Sequence, residues 1–477
     1  MIFLYSQIDE NTALLDRLLR IGKSFDVTRR DINVCGKRCS FYFVDGMIKD
    51  DTMQRIMDVF MKLDSFAPRT LEGLKQFCDT YVAYVEVREC RNEEDAVTSV
   101  LSGAACMIAD GLSGAVIIDA RTYPVRAISE PDNDRVLRGA RVGFTETLVF
   151  NTALLRRHIR DPRLTIALYT VGDISKTDLV LCYMEERADA QYVKRLKKLI
   201  DGIRTDSLTL GIQSVAECIA PKRWLDPFPK IRYTERPDCA AAHILEGKVV
   251  VICDNCPSCM ILPTSIFDFL QETDDFYLPP LTGTYLRVIR CFVFFMTLML
   301  APTWYLLLMH PEYVPPGLEF ILVTEETPIP IIIQLFILEF AVDGLKLAAL
   351  NTPTMLSGSF SIIGGLILGE FAVEVGWFLP DTILYMAFVA VANFAQPSYE
   401  LGYAFKFMRL IMLALTGLFG IFGYALGVIF TVVFIAANKT VAGGAYLYPL
   451  IPFNAKALYR AFVRTRLDSG RKNKERR

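Results

Sequence analysis

Five ionisable residues lie inside apolar stretches of this 477-residue chain, where the chemistry open to them is the binding or passage of ions. Glu339, Asp343 and Lys346 are spaced i, i+4 and i+7, on one face of a helix, and Glu370 and Glu374 are also four residues apart. A charge at mid-bilayer costs about 3 kcal/mol or more, so such groups usually face a protein interior or an aqueous path. The pattern indicates a water-lined ion route, an internal pairing of Asp343 with Lys346, or segments outside the membrane.

The stretches that carry these residues occupy the last third of the chain. Hydrophobic residues make up 52% of the sequence, mean hydropathy is +0.33, and residues 291–309 and 410–437 contain no charged side chain. Runs of about 18 or more apolar residues are typical of membrane spans. We therefore predict a helical transmembrane domain over 286–455, with about four or five segments, and a basic tail over 456–477. The apolar stretches are 288–310, 329–350, 354–379, 382–398 and 409–438.

The flanking charges predict the orientation of the chain. The tail carries nine Lys/Arg against Asp468 and Glu475, so the positive-inside rule places it in the cytosol. The N-terminal part lacks a secretory signal, and its scattered cysteines suggest reduced thiols, so we expect it to be cytosolic too. Two ends on one side require an even number of crossings. Either one stretch is re-entrant, with 329–350 favoured because of its charges and flanking prolines, or the last stretch folds as a hairpin.

The part before the apolar stretches is predicted to be α/β, in two small subdomains at 1–130 and 131–285. Strand-like and helix-like segments alternate along it, and no fixed-period repeat is visible. Residues 94–110 are predicted to form one helix, and 114–120 with 123–128 a hairpin. The net charge of −2 provides no global basic field, so nucleic acid is not an expected partner.

Three cysteines form the strongest local candidate for a metal site. Cys253, Cys256 and Cys259 have a spacing that zinc or an iron–sulfur cluster can use. A matching fourth ligand is not apparent, and Asp-Asn-Cys-Pro is typical of a tight turn between two strands. We therefore expect a structural turn, with no metal and no cofactor. The sequence has no recognisable nucleotide-binding loop or catalytic constellation, so no catalytic residues are predicted and an enzyme is not expected.

Two polar clusters, at 138–146 and 234–238, lie beside predicted helix starts. One interpretation is that the carboxylates of each cluster stabilise the positive end of the neighbouring helix. The alternative is that the clusters contact another subunit or a ligand. A glycine stripe in 358–369 is typical of close helix packing and predicts a bundle or oligomer contact. The residues with such a predicted contact role are Arg138, Arg141, Glu146, Glu235, Arg236, Asp238, Gly364, Gly365 and Gly369.

Several of these motifs, taken together and in order, resemble the A-subunit family of bacterial spore germination receptors. The resemblance covers about residues 100–455. Residues 342–373 are most similar to the stage V sporulation protein AF branch, because they contain LKLAALNTP where receptor A subunits tend to read more like REAGIRLP. That difference argues against direct nutrient sensing. The motifs are RGARVGFTE (138–146), NTALLRRHIRDPRL (151–164), TERPD (234–238), EGKVVVICDNCP (246–257) and PTSIFDFLQETDDFY (263–277).

The resemblance implies a multi-pass protein of the spore inner membrane with both termini in the cytosol. It also implies a homo-oligomer that works with companion membrane germination proteins and has a role in ion release that starts or amplifies germination. We therefore expect an ion channel or ion-release subunit, with monovalent cations as permeant ions attracted by the acidic residues of 339–374. The alternative is a non-conducting scaffold for the companion proteins. A transporter often shows an inverted repeat, and none is visible.

Overall fold

The chain forms two compact units of different architecture. A computed structural model describes residues 7–63, 71–82, 86–112, 114–121, 139–221, 224–323, 327–351 and 370–465. One unit comprises Met1–Pro221 with Ile231–Pro263, and the other Lys222–Lys230 with Thr264–Arg477. The first unit mixes helices and antiparallel strands, which confirms the α/β prediction. The described part of the second unit contains helices and no β-strand.

The α/β unit contains two successive sets of elements. The first set is α1 (Ile8–Leu19), β1 (Val27–Val34), β2 (Lys37–Val44), α2 (Asp50–Met61), α3 (Leu71–Tyr81), β3 (Val87–Cys90), α4 (Glu93–Leu101), β4 (Ala105–Ala109) and β5 (Ala115–Ile118). The second set is α5 (Leu148–His158), β6 (Leu164–Val171), β7 (Thr177–Met184), α6 (Ala190–Asp201), α7 (Ile212–Ile219), β8 (Arg232–Thr234), α8 (Pro237–Leu245), β9 (Val249–Cys253) and β10 (Cys259–Leu262).

The two sets share one topology. Each runs helix, two strands, two helices, strand, helix and two strands. The sheet orders are β1-β2-β4-β5-β3 and β6-β7-β9-β10-β8, so every strand of the second sheet occupies the position of the strand five places earlier. The repeat is not visible in the sequence. Each strand position requires only a side chain that can be buried on the correct face of the sheet, and many different apolar residues meet that requirement.

The centre of the first sheet is buried on both faces, which explains why β4 has no exposed residue. Side chains alternate along a strand, so Cys106 and Ile108 pack with α1 and α4, while Met107 packs with Phe60 of α2 and Phe77 of α3. A strand with two buried faces reads as a continuous apolar run. The prediction of one helix over 94–110 is therefore wrong in its second half. The helix ends at Leu101, and a turn at Gly103, where φ is +100°, leads into β4.

The strand predicted at 114–120 is confirmed as β5. However, β5 pairs with β3 on one edge and β4 on the other, so it has no free edge for the predicted hairpin with 123–128, which lies outside the described residues.

A fully buried ion pair joins the two sets of elements. The Arg156 guanidinium of α5 donates to both carboxylate oxygens of Asp26, with Nε–Oδ2 at 2.9 Å and Nη2–Oδ1 at 3.1 Å. Ser24 donates to Asp26 Oδ1 at 2.6 Å and accepts from the Ile166 amide at 3.0 Å. Because every charge here has hydrogen-bonding partners, the pair fixes α5 and β6 against the segment that precedes β1.

The helical unit begins with a 3₁₀ turn at Ile266–Leu270. Further 3₁₀ turns lie at Pro311–Tyr313, Glu319–Ile321 and Val441–Gly443. Its helices are α9 (Asp274–Tyr277), α10 (Pro280–Met309), α11 (Ile331–Asn351), α12 (Ala372–Glu374), α13 (Pro380–Phe394), α14 (Tyr399–Ala436) and α15 (Ala455–Phe462). Among the described residues, α10 and α14 are the two helices whose length and composition would let them cross a membrane.

The long helix α14 folds back on itself at Gly420. This glycine has φ 57° and ψ −132° inside the helical run. A Cβ built on Gly423 would lie 1.8 Å from the Leu415 carbonyl oxygen, and a Cβ built on Gly427 would lie 2.8 Å from Met412 Cγ. These close approaches show that residues 399–419 and 421–436 form two antiparallel arms. The hairpin alternative for the last apolar stretch is confirmed. The preference for an irregular 329–350 is wrong, because residues 331–351 form one continuous helix.

Candidate functional site

Two acidic residues of α11 and two basic residues of α14 form a buried charge cluster. Its members are Glu339, Asp343, Lys406 and Arg409. They come from helices that are far apart in sequence, and the i, i+4 spacing of the two acids turns both toward α14, as the predicted single face requires. Glu339 and Arg409 are only 3% and 2% exposed, so their charges are withdrawn from solvent.

Arg409 holds Glu339 in a two-pronged contact. Its Nε lies 2.5 Å from Oε1 and its Nη2 lies 2.9 Å from Oε2. The remaining nitrogen, Nη1, donates to the carbonyl oxygen of Thr297 at 2.6 Å. Paired, planar hydrogen bonds of this kind are among the strongest that side chains make. The arginine therefore ties α14 to α11 and α10 together.

Lys406 bridges the two acids. Its Nζ lies 2.5 Å from Asp343 Oδ2, 3.4 Å from Glu339 Oε2 and 2.8 Å from the Glu339 carbonyl oxygen. Asp343 keeps one oxygen, Oδ1, buried and without a hydrogen-bond partner among the described atoms, and 24% of its side chain is exposed. Of the two acids, Asp343 is thus the one with capacity for a further ligand.

Lys346 lies on the same helix but makes a different kind of contact. Its Nζ sits over the rings of Phe394 and Tyr403, 4.6 Å and 5.5 Å from their centroids. A cation over an aromatic face is stabilised by about 1 kcal/mol or more when desolvated. Asp343 thus forms an internal ion pair, as one alternative predicted, but its partner is Lys406 of α14 and not Lys346.

The other acids predicted for an ion route lie apart from this cluster. Glu370 and Glu374 are exposed, and among the described residues no ion pair joins either of them to the charge cluster. The glycines predicted for helix contacts, at 364, 365 and 369, lie outside the described residues.

Sequence reasoning did not include Lys406 and Arg409 among the site residues. A signal was present, because they are two of only three basic residues in 291–438. Basic side chains in an apolar region are stabilised when they pair with the acidic side chains of the same region. With two acids and two bases, the charge cluster is formally neutral.

The two polar clusters of the α/β unit meet each other. The Phe144 amide donates to the Glu235 carbonyl oxygen at 2.8 Å. Arg236 is fully buried and contacts both oxygens of Asp238, at 3.1 Å and 2.7 Å, at the start of α8. Arg141 and Glu146 are exposed, and Arg138 lies outside the described residues.

The three-cysteine segment is a turn, as expected. Cys253 ends β9 and Cys259 begins β10, and the two strands pair antiparallel. Asp254 in the turn accepts from the Leu148 amide at 3.1 Å, so the turn caps the start of α5. Burial raises the pKa of the Cys253 thiol to about 12, so the free side chain stays protonated at neutral pH. Among the described residues, no three His, Cys, Asp or Glu are grouped to hold a metal ion.

A segment that leaves the α/β unit between α7 and β8 packs into the helical unit. We call residues 224–230 the linker. Phe228 lies 5.6 Å from the Phe405 ring and 6.0 Å from the Phe434 ring, on the two arms of α14. Lys230 pairs with Asp226 at 2.7 Å, and Asn438 donates to Asp226 Oδ1 at 2.9 Å. The linker is thus held against both arms of the hairpin.

Residues 16–476 match the family described as Bacillus/Clostridium GerA spore germination protein. Stage V sporulation protein AF of Bacillus subtilis (strain 168) is 37% identical over 464 residues, covering 97% of this chain and 94% of that protein. Spore germination protein KA of the same organism is 27% identical, covering 93% and 82%. The N-terminal domain of the A subunit of the Bacillus megaterium spore germinant receptor GerK3 is 24% identical, with a TM-score of 0.41, covering 55% of this chain and 96% of that one.

Proposed function

Because the chain belongs to the GerA family of spore germination proteins, we propose that it is an oligomeric, ion-conducting component of the spore inner membrane. In this proposal the helical unit crosses the membrane, both termini face the cytosol, and companion membrane germination proteins assemble with it. Monovalent cations are the permeant ions, released at the start of germination or to amplify it.

The observation that supports the proposal is that α14 carries the two bases of the charge cluster and also contacts the linker. Lys406 and Arg409 on its first arm hold the acids of α11, while Phe405 on the same arm contacts the linker. Phe405 and Lys406 are adjacent in sequence, so a movement of the linker would act on the same turn of α14 that carries the ion pairs. The α/β unit would bias a gate in this way.

The acids differ in what they offer a cation. Glu339 is neutralised by Arg409, whereas Asp343 has a free buried oxygen, and Glu370 and Glu374 are exposed. Carboxylates beside a pore attract cations and repel anions. We therefore assign selectivity to Asp343, Glu370 and Glu374 and a structural role in the gate to Glu339, with Lys346 limiting the cation current by its charge.

The test is cation release from liposomes that contain the full-length protein. Asp343→Asn, Glu370→Gln and Glu374→Gln should each lower the preference for potassium over chloride. Glu319→Gln is the matched control, because Glu319 is exposed in the loop after α10, outside the apolar helices. Unchanged flux and selectivity in all three variants would remove the assignment of these residues.

A scaffold is the second candidate, and the neutrality of the charge cluster favours it. A formally neutral cluster in which both bases are paired with acids fixes three helices together and does not require a permeant ion. Liposomes that hold the full-length protein alone separate the two candidates, since a scaffold gives no current. Under either candidate, exposed Arg141 and Glu146 are proposed subunit contacts, and Arg141→Glu should lower the mass of the oligomer in native mass spectrometry.

A further inference from the structure

We propose that residues 448–465, here called the C-terminal strap, bind anionic lipid headgroups and anchor the chain at the membrane surface. The inference rests on the proposed function only for the membrane location of the helical unit. It does not depend on ion conduction.

The strap is fixed beside the beginning of α10. Arg287 of α10 donates to the Arg460 carbonyl oxygen at 3.2 Å, at the C-terminal end of α15. The Arg464 amide donates to Thr284 Oγ1 at 3.1 Å, and Phe462 stacks edge-on against Phe267 at 6.0 Å. Arg287 is itself held by the buried carboxylate of Asp275, at 3.2 Å. The strap therefore has one attached face and a defined position along α10.

Other positions of the strap expose large apolar and aromatic side chains. Ile451, Phe453 and Tyr459 are 52%, 70% and 58% exposed. Side chains of this size are costly to leave in water, at about 25 cal/mol per Å² of apolar surface. Tyrosine is enriched at membrane interfaces, and phenylalanine is common on the apolar face of helices that lie in them.

Basic residues accompany the apolar ones, and acidic residues are absent from the strap. Lys456 and Arg460 are exposed and stand four apart on α15, so they share a face. The sequence from 448 to 465 contains no Asp or Glu. A short helix with a basic face and adjacent exposed aromatics is the pattern of helices that lie in the interface of anionic membranes.

Continuity with α10 favours lipid over a second copy of the chain as the occupant. Leu281, Tyr285 and Val288 at the start of α10 are also exposed, and the charge-free stretch of α10 begins at residue 291. The strap contacts α10 at residues 284 and 287, a single turn before that stretch. The exposed basic and aromatic groups therefore lie at the depth where headgroups meet acyl chains.

Hydrogen exchange measured by mass spectrometry on the full-length protein tests the proposal. The protein is placed in nanodiscs of phosphatidylcholine alone or of equal parts phosphatidylcholine and phosphatidylglycerol. We expect amides of 455–462 to exchange about tenfold more slowly with the anionic lipid. Lys456→Gln with Arg460→Gln should remove that difference. The matched control is Lys194→Gln with Lys198→Gln, which removes two exposed charges from α6 and should leave it intact.

Two outcomes would overturn the proposal. Equal exchange of the strap in both nanodiscs would exclude recognition of anionic headgroups. Protection that appears in both lipids and grows with the number of protein copies per disc would assign the surface to a second chain. Failure of the proposed function is read separately, because ion flux is measured on the same preparations, and protection of residues 291–309 in both lipids reports insertion of α10.

Discussion

The Glu339–Arg409 pair allows a quantitative test of the charge cluster. Glu339→Gln leaves Arg409 as a buried charge that has lost its carboxylate, with only the Thr297 carbonyl oxygen among its present partners. Removing one member of a buried pair costs about 3–5 kcal/mol, because the other charge stays desolvated. For a unit of this size we expect the midpoint of thermal unfolding to fall by about 6 °C or more.

The double variant measures the interaction between Glu339 and Arg409 apart from the effect of losing each side chain. Glu339→Gln with Arg409→Gln removes both charges, so its destabilisation should be smaller than the sum of the single effects by about 2 kcal/mol. The measurement is thermal unfolding of the full-length protein in detergent, followed by tryptophan fluorescence. Glu319→Gln, at an exposed site, should stay within about 0.5 kcal/mol of the parent.

One result would refute this reasoning. If Glu339→Gln were as stable as the parent while cation flux fell sharply, Glu339 would be solvated by a conducting path and not held by Arg409. A strictly additive double variant would likewise show that the two side chains do not interact in the native protein.

Three further predictions concern other parts of the chain. Gly420→Ala places a Cβ at φ 57° and ψ −132°, so the hairpin should lose about 1–3 kcal/mol, seen as a lower unfolding midpoint. Asp26→Asn should destabilise the α/β unit by about 3 kcal/mol, and combination with Arg156→Met should recover part of that loss in urea unfolding. Burial raises the pKa of Cys39 to about 12, so at pH 7 to 9 its thiol stays protonated and should resist iodoacetamide, whereas Cys35 is exposed and should be labelled; equal labelling in peptide mass spectrometry would contradict this.

Local patterns were sufficient to predict much of the α/β unit. The α/β character predicted for the part before the apolar stretches is confirmed, and so is the turn at Cys253–Cys259. The family resemblance, drawn from ordered motifs, is also confirmed. These features depend on neighbours within a few residues, which a single sequence displays directly.

Features that depend on distant contacts were not predicted correctly. The apolar segment 105–109 fits a helix or a strand equally well until its neighbours β2 and β5 are known. The partner of Asp343 lies 63 residues away, whereas spacing rules favoured the nearby Lys346. The reversal at Gly420 occupies one of several glycines in an uninterrupted apolar run, and only packing of the two arms distinguishes it from the others.

The two halves of the α/β unit share one topology but differ in the length of one connection. In the first half, the connection between the third helix and third strand spans five residues, 82–86. The corresponding connection of the second half spans twelve, 220–231, and includes the linker with Phe228. Lengthening one surface loop by a few residues disturbs neither sheet, since loop closure costs grow slowly with length. The longer connection of the second half thus contains the segment whose Phe228 packs against both arms of α14.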